Sequence, residues 1–135
     1  MQNKSGILTM VAALGLLAAP SALLAHHGSA IYDETKAVKL TGVVTDWLWA
    51  NPHCLLDFDA KNDKGESVHW SAEVSNPPDM VARGWSRKMF KPGDEVTLWM
   101  IVAKNGEPVG RIARVAVGGK TYEGMGRVPG EAPAK

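Results

Sequence analysis

Only one cysteine, Cys54, occurs in 135 residues. No internal disulfide can therefore brace the fold, and hydrophobic packing has to hold it. A surplus of either charge is missing too: 15 Lys and Arg stand against 14 Asp and Glu, for a formal net charge of +1. Such a chain has no electrostatic reason to seek phosphate backbones, which argues against a nucleic-acid partner. There is no phosphate loop, no Ser/His/Asp nucleophile pattern and no pair of carboxylates in an acid–base setting, so none of these patterns points to an enzyme. Long apolar runs are scarce as well. One begins at Gly6, and no second run is long enough to span a bilayer.

That single run sits where an export signal belongs. Met1-Gln2-Asn3-Lys4 carries one positive charge and no acid, Gly6 to Pro20 is mostly apolar, and Ser21-Ala22-Leu23-Leu24-Ala25 ends on a small residue. A basic start, an apolar core and a small residue at the cut form the pattern of a cleaved secretory signal, here residues 1–25. The alternative is a retained membrane anchor. It needs ~20 predominantly apolar residues, and Pro20 interrupts the run near its end. Cys54 is too far from the cut for a lipoprotein. The expected product is a periplasmic or secreted protein of 110 residues starting at His26, with 14 cationic side chains balancing 14 acidic ones once Lys4 is removed. That is one small domain with no membrane span.

Residues 26–37 read as a polar lead-in, 38–123 as the domain, and 124–135, rich in Gly, Pro and Ala, as a flexible tail. Within the domain, short alternating segments predict strands at Val38–Trp49, His53–Ala60, Ser67–Val74, Glu95–Ala103 and Gly110–Val117. Asn51-Pro52 separates the first two, and Lys61–Gly65 forms a polar hairpin loop. Lys91-Pro-Gly-Asp94 and Asn105-Gly106 are turns. Between the third and fourth strands, Asn76 can cap a short helix, Pro77 suits its first turn and Gly84 can end it. Three strands, a helix and two strands, all-β but for that helix, is the order of a five-stranded OB-fold-like Greek-key barrel. Gly42 in the long first strand fits the coiling such a barrel needs. Another small antiparallel sandwich or roll is the alternative.

Alternation in the second hairpin sets one face as Cys54, Leu56 and Phe58 and the facing one as Val68, Trp70 and Ala72. Pairing Phe58 with Val68, Leu56 with Trp70 and Cys54 with Ala72 places Asp57 opposite His69 and His53 opposite Glu73 on the other face. The two His/carboxylate pairs lie ~13 Å apart, so one ion could use only one of them. A plain cross-strand contact suffices for His69. His53 and Glu73 flank loops at a strand entrance and exit, where a ligand can be held at a barrel rim.

Cleavage after Ala25 leaves a free amine on His26-His27-Gly28. An N-terminal histidine chelates through its amine and its ring, and one more imidazole completes a histidine brace, a geometry suited to Cu(II). The amine has an ordinary pKa of ~7.7–8.0, so binding displaces a proton. His27 offers a second route through the amine, the intervening amide and its ring. The metal reading therefore takes His26, His27, His53 and Glu73 as ligands for a copper ion, in a protein that binds or delivers metal. The plain alternative for His26-His27 is a soluble chain start. A non-metal binding or interaction module that takes a ligand or an envelope protein partner on aromatics of the barrel (Trp47, Trp49, Trp70, Trp99) is the competing function, and a brace-type oxidase is a third. Cys54, Met80, Met89 and Met100 read as core.

His26-His27, Trp49-Ala-Asn-Pro-His53, Trp70-Ser-Ala-Glu73, Arg83-Gly-Trp85 and Lys91-Pro-Gly-Asp-Glu95 together resemble a family of small exported bacterial proteins of undetermined function. Its members share an N-terminal HH and an Asn-Pro-His motif. The likeness covers most of the domain and places His26, His27, His53 and Glu73 on motif positions, but not His69 or Cys54. Gly28-Ser-Ala-Ile-Tyr32 departs from the pattern, which has a phenylalanine there.

Overall fold

A computed structural model describes residues 30–131. The expected signal, both N-terminal histidines and residues 132–135 lie outside the described residues.

Six strands and one helix follow in the order β1 (Val38–Leu48), β2 (Cys54–Lys61), β3 (Ser67–Val74), α1 (Pro77–Ala82), β4 (Glu95–Val102), β5 (Val109–Val117) and β6 (Lys120–Glu123). β1 pairs antiparallel with both β2 and β4, β2 with β3, and β4 with β5. A parallel contact of Ser71–Glu73 with Val109–Arg111 joins β3 to β5 and closes the ring. The five-stranded barrel and its helix between β3 and β4 are those expected from the order of elements. Among the described residues no helix is long and apolar enough to cross a membrane.

The strands β1 to β5 each bury residues on one face, and together they fill one core: Val44, Leu56, Phe58, Val74, Val96, Leu98, Met100, Ile112 and Val115, with Met80 and Trp85 from the β3–β4 connection. β1 departs from a plain ladder strand at two points. At Gly42 a side chain would strike the Asp59 carbonyl and stand 2.8 Å from Phe58 Cδ2. Between Val44 and Asp46 the pairing with β2 skips a residue. A second irregularity beside Met100 leaves Ala113 outside the ladder, and both Ile112 and Ala113 are buried. Asn76 caps α1 by accepting from the Asp79 N–H, and Gly84, at φ +84°, turns the chain out of it.

The β2–β3 register differs from the expected one by two residues. Phe58 faces Trp70, Asp59 faces His69, Leu56 faces Ala72, Leu55 faces Glu73 and Cys54 faces Val74. Side chains alternate with a period of two, so a shift of two keeps every apolar residue inside and the pattern cannot detect it. A shift of one would expose Leu56 and Phe58, at ~1.5–3 kcal/mol each. The loop makes the choice. Asn62 Oδ1 accepts from the backbone N–H groups of Lys64 and Glu66, both at 2.9 Å, and Gly65 takes the left-handed position at φ +79°. The turn is therefore Asn62–Glu66, one residue later than its composition suggests.

Chain beyond the barrel is also fastened to it. β6 folds back on β5 through Gly118 and Gly119, both at positive φ, a tight Gly-Gly turn. Residues 124–131, where composition pointed to a flexible tail, run on along β5. Gly124 and Met125 donate to Ala113 and Ile112 carbonyls, Val128 is buried, and Arg114 pairs with Glu123 and Glu131.

Candidate metal centre

His53 stands between Pro52, whose peptide bond with Asn51 is cis, and the first residue of β2. Cys54 N–H donates to the Ser75 carbonyl and fastens this end of the hairpin. Under the observed register His53 reaches Glu73 diagonally instead of directly across. Its Nδ1 lies 3.3 Å from Glu73 Oε2, within the range of diagonal neighbours on one sheet face. His69 meets Asp59, not Asp57, at 2.7 Å. Asp57 lies opposite Ser71, and its Oδ1 is buried with no hydrogen-bond partner among the described residues.

Glu73 has two further neighbours from distant parts of the chain. Arg111 Nε donates to Oε1 at 3.1 Å, because the β3–β5 closure puts residues 73 and 111 side by side. The Tyr32 hydroxyl donates to the same oxygen at 3.3 Å. Tyr32 belongs to the lead-in, which adds a short antiparallel contact to the end of β4: Tyr32 bridges Ala103, and Asp33 N–H donates to the Val102 carbonyl at 2.9 Å. The Arg111 guanidinium lies over the Tyr32 ring at 4.4 Å and also meets Glu34 at 3.3 Å. Charge and aromatic face thus hold one another in a half-dry setting, where such contacts outweigh their exposed equivalents. Glu73 and Arg111 are each about 20% exposed and His53 about 49%. Burial, then the nearby Glu73 charge, raises the Tyr32 hydroxyl above its ordinary pKa.

Of the four expected ligands, the structure brings His53 and Glu73 together at this rim, while His26 and His27 lie outside the described residues. Among the described residues no group of three or more His, Cys, Asp or Glu could hold an ion. A metal at His53 therefore needs donors from elsewhere. Cys54, next in sequence, points into the core, and burial raises its thiol pKa. Tyr32, Glu34 and Arg111 are not among the residues that the sequence pattern marks for this site. The visible signal was a charged residue in the apolar run Gly110-Arg-Ile-Ala, but its partner depends on which strands close the barrel.

The aromatic side chains of the competing reading are largely engaged in packing. Trp85 is buried, and Trp47 packs against Trp49, Trp85 and Phe90 with centroids 5.0–6.0 Å apart while its Nε1 donates to the Ser86 carbonyl. Trp70 stacks on Phe58, and Trp99 carries Lys39 and Arg114 over its ring.

No curated protein and no solved structure matches the chain. A family model does match, over residues 13–112, a span that includes Tyr32, His53, Glu73 and Arg111. The chain belongs to that family, a family of unknown function (DUF6152).

Proposed function

We propose that this is an exported metal-binding protein, periplasmic or secreted, whose site is completed when the signal is cut between Ala25 and His26. The His26 amine and ring chelate Cu(II), His53 supplies the third nitrogen of a histidine brace, and His27 stands by as an alternative donor. The role is binding or delivery of the ion, with no reaction assigned. One observation carries the reading: the lead-in is tied to the rim at His53. Tyr32 donates to the carboxylate that His53 approaches, both at 3.3 Å. Tyr32 is six positions after His26, and six residues span up to ~20 Å, so the N-terminus can return to His53. The HH start and the Asn51-Pro52-His53 motif, by which the chain resembles small exported bacterial proteins, fall on the same residues.

Calorimetric Cu(II) titration of protein beginning at His26 tests this, with a form carrying one extra N-terminal alanine as the control. The processed form should bind one equivalent, and the extended form far more weakly. Equal weak binding by both forms, or none, ends the brace reading. Mass spectrometry of the protein recovered from the periplasm should give a chain starting at His26.

A further inference from the structure

Glu73 holds the position that sequence suggested for a ligand, but its neighbours suit it to another task. Oε1 already accepts from Arg111 Nε and Tyr32 Oη. A cation bound to this carboxylate would sit beside a guanidinium that is itself 3.1 Å away, and the like charges repel in a partly desolvated place. Oε2 faces His53 Nδ1. At 3.3 Å that pair is just beyond the usual N–H···O range, within reach of a small torsion of the half-exposed imidazole. A carboxylate that takes the proton of one ring nitrogen fixes the tautomer and aims the other nitrogen outward.

We propose that Glu73 is a positioning residue: Tyr32 and Arg111 hold its carboxylate, the carboxylate accepts the His53 Nδ1 proton, and His53 Nε2 is the atom offered to a metal. The purpose of this arrangement rests on the metal-binding reading above, but its first test does not. It also narrows the ion. With Glu73 occupied, the donors are nitrogens, which favour copper or zinc over the oxygen-seeking magnesium and calcium.

Long-range proton–nitrogen NMR of metal-free protein beginning at His26, recorded about two pH units above the ordinary histidine pKa of ~6.5, reads the tautomer directly. His53 should carry its proton on Nδ1. In Glu73→Gln the amide can present its NH2 to the ring, and the proton should move to Nε2. With Zn(II) as a diamagnetic probe, the Nε2 resonance should shift while Nδ1 keeps its proton. Cu(II) affinity should fall about 10- to 100-fold in Glu73→Gln, the usual effect of removing an outer carboxylate. Tyr32→Phe, which keeps the ring, should move affinity the same way by less. An Nε2–H tautomer in the unmodified protein, or a Zn(II) shift confined to Nδ1, overturns the proposal. A protein that shows Nδ1–H yet binds no copper retains the positioning role and loses the proposed function instead.

Discussion

Gly42 and Tyr32 show how much single residues decide here, by opposite means. Gly42 matters because nothing is there: a methyl group would run into the Asp59 carbonyl and the Phe58 ring. Gly42→Ala should cost about 1–3 kcal/mol, the usual range for overpacking, read as a lower urea midpoint at unchanged slope. Tyr32 matters through its hydroxyl. Its folded-state pKa is raised, chiefly by burial and then by Glu73, so the folded chain keeps a proton that the unfolded chain loses from pH ~10. The stabilisation is fully present below that pH and is lost as pH rises through the folded value. Tyr32→Phe should cost about 1 kcal/mol near neutrality through the lost hydrogen bond, and it should flatten the fall in stability above pH ~10. Denaturant titrations at several alkaline pH values check both signs, and parallel pH curves for the two proteins would remove Tyr32 as the cause. The composition of the lead-in gave no sign of this role. Tyr32, Glu73 and Arg111 are separated by 41 and 38 positions, and local pattern cannot show contacts made only by barrel closure.

Elements show a sharper division between what pattern decides and what it leaves open. Apolar alternation places β1 to β5 within a residue or two and assigns the inner faces of β2 and β3, because burial is the larger energy. Register within a face was left to the Asn62 turn, which moved every β2–β3 pair by two. His53 still meets Glu73, by a diagonal contact, while His69 exchanges its expected partner Asp57 for Asp59. β6 was missed because Lys120-Thr-Tyr-Glu123 has too few apolar residues to register as a strand, and its stability comes from the Gly118-Gly119 turn and from β5. The following segment is held by Met125 and Val128, single apolar residues among Gly and Pro. Deleting residues 125–135 should lower stability by about 2–4 kcal/mol, from ~1.5–3 kcal/mol for a well-buried side chain such as Val128 and a smaller share for the partly buried Met125, and leave the far-ultraviolet dichroism of the barrel in place. An unchanged urea midpoint would mean that the segment contributes no packing energy.

At the scale of the whole molecule, closure has a testable consequence. β1 pairs with β2 and β4, and the β3–β5 contact completes the circuit, so opening the barrel at one seam disturbs a core shared by all five strands. Cys54 reports on this. It begins β2, is fully buried, and its Sγ faces the Ala50 carbonyl at 3.8 Å. Burial raises its thiol pKa, which keeps the group protonated and weakly nucleophilic near neutral pH. The adjacent His53 faces outward from the same strand end, so alternation puts the imidazole at the rim and the thiol, a strong copper ligand, out of reach. A disulfide-exchange reagent should therefore label Cys54 slowly without denaturant. The rate should climb with urea in parallel with global unfolding, as expected when only the open state reacts. Fast labelling independent of urea would show instead that the Asn51–Cys54 corner opens alone. His53 would then lack the rigid mount that the metal reading requires, so the thiol experiment tests the fold and the site together.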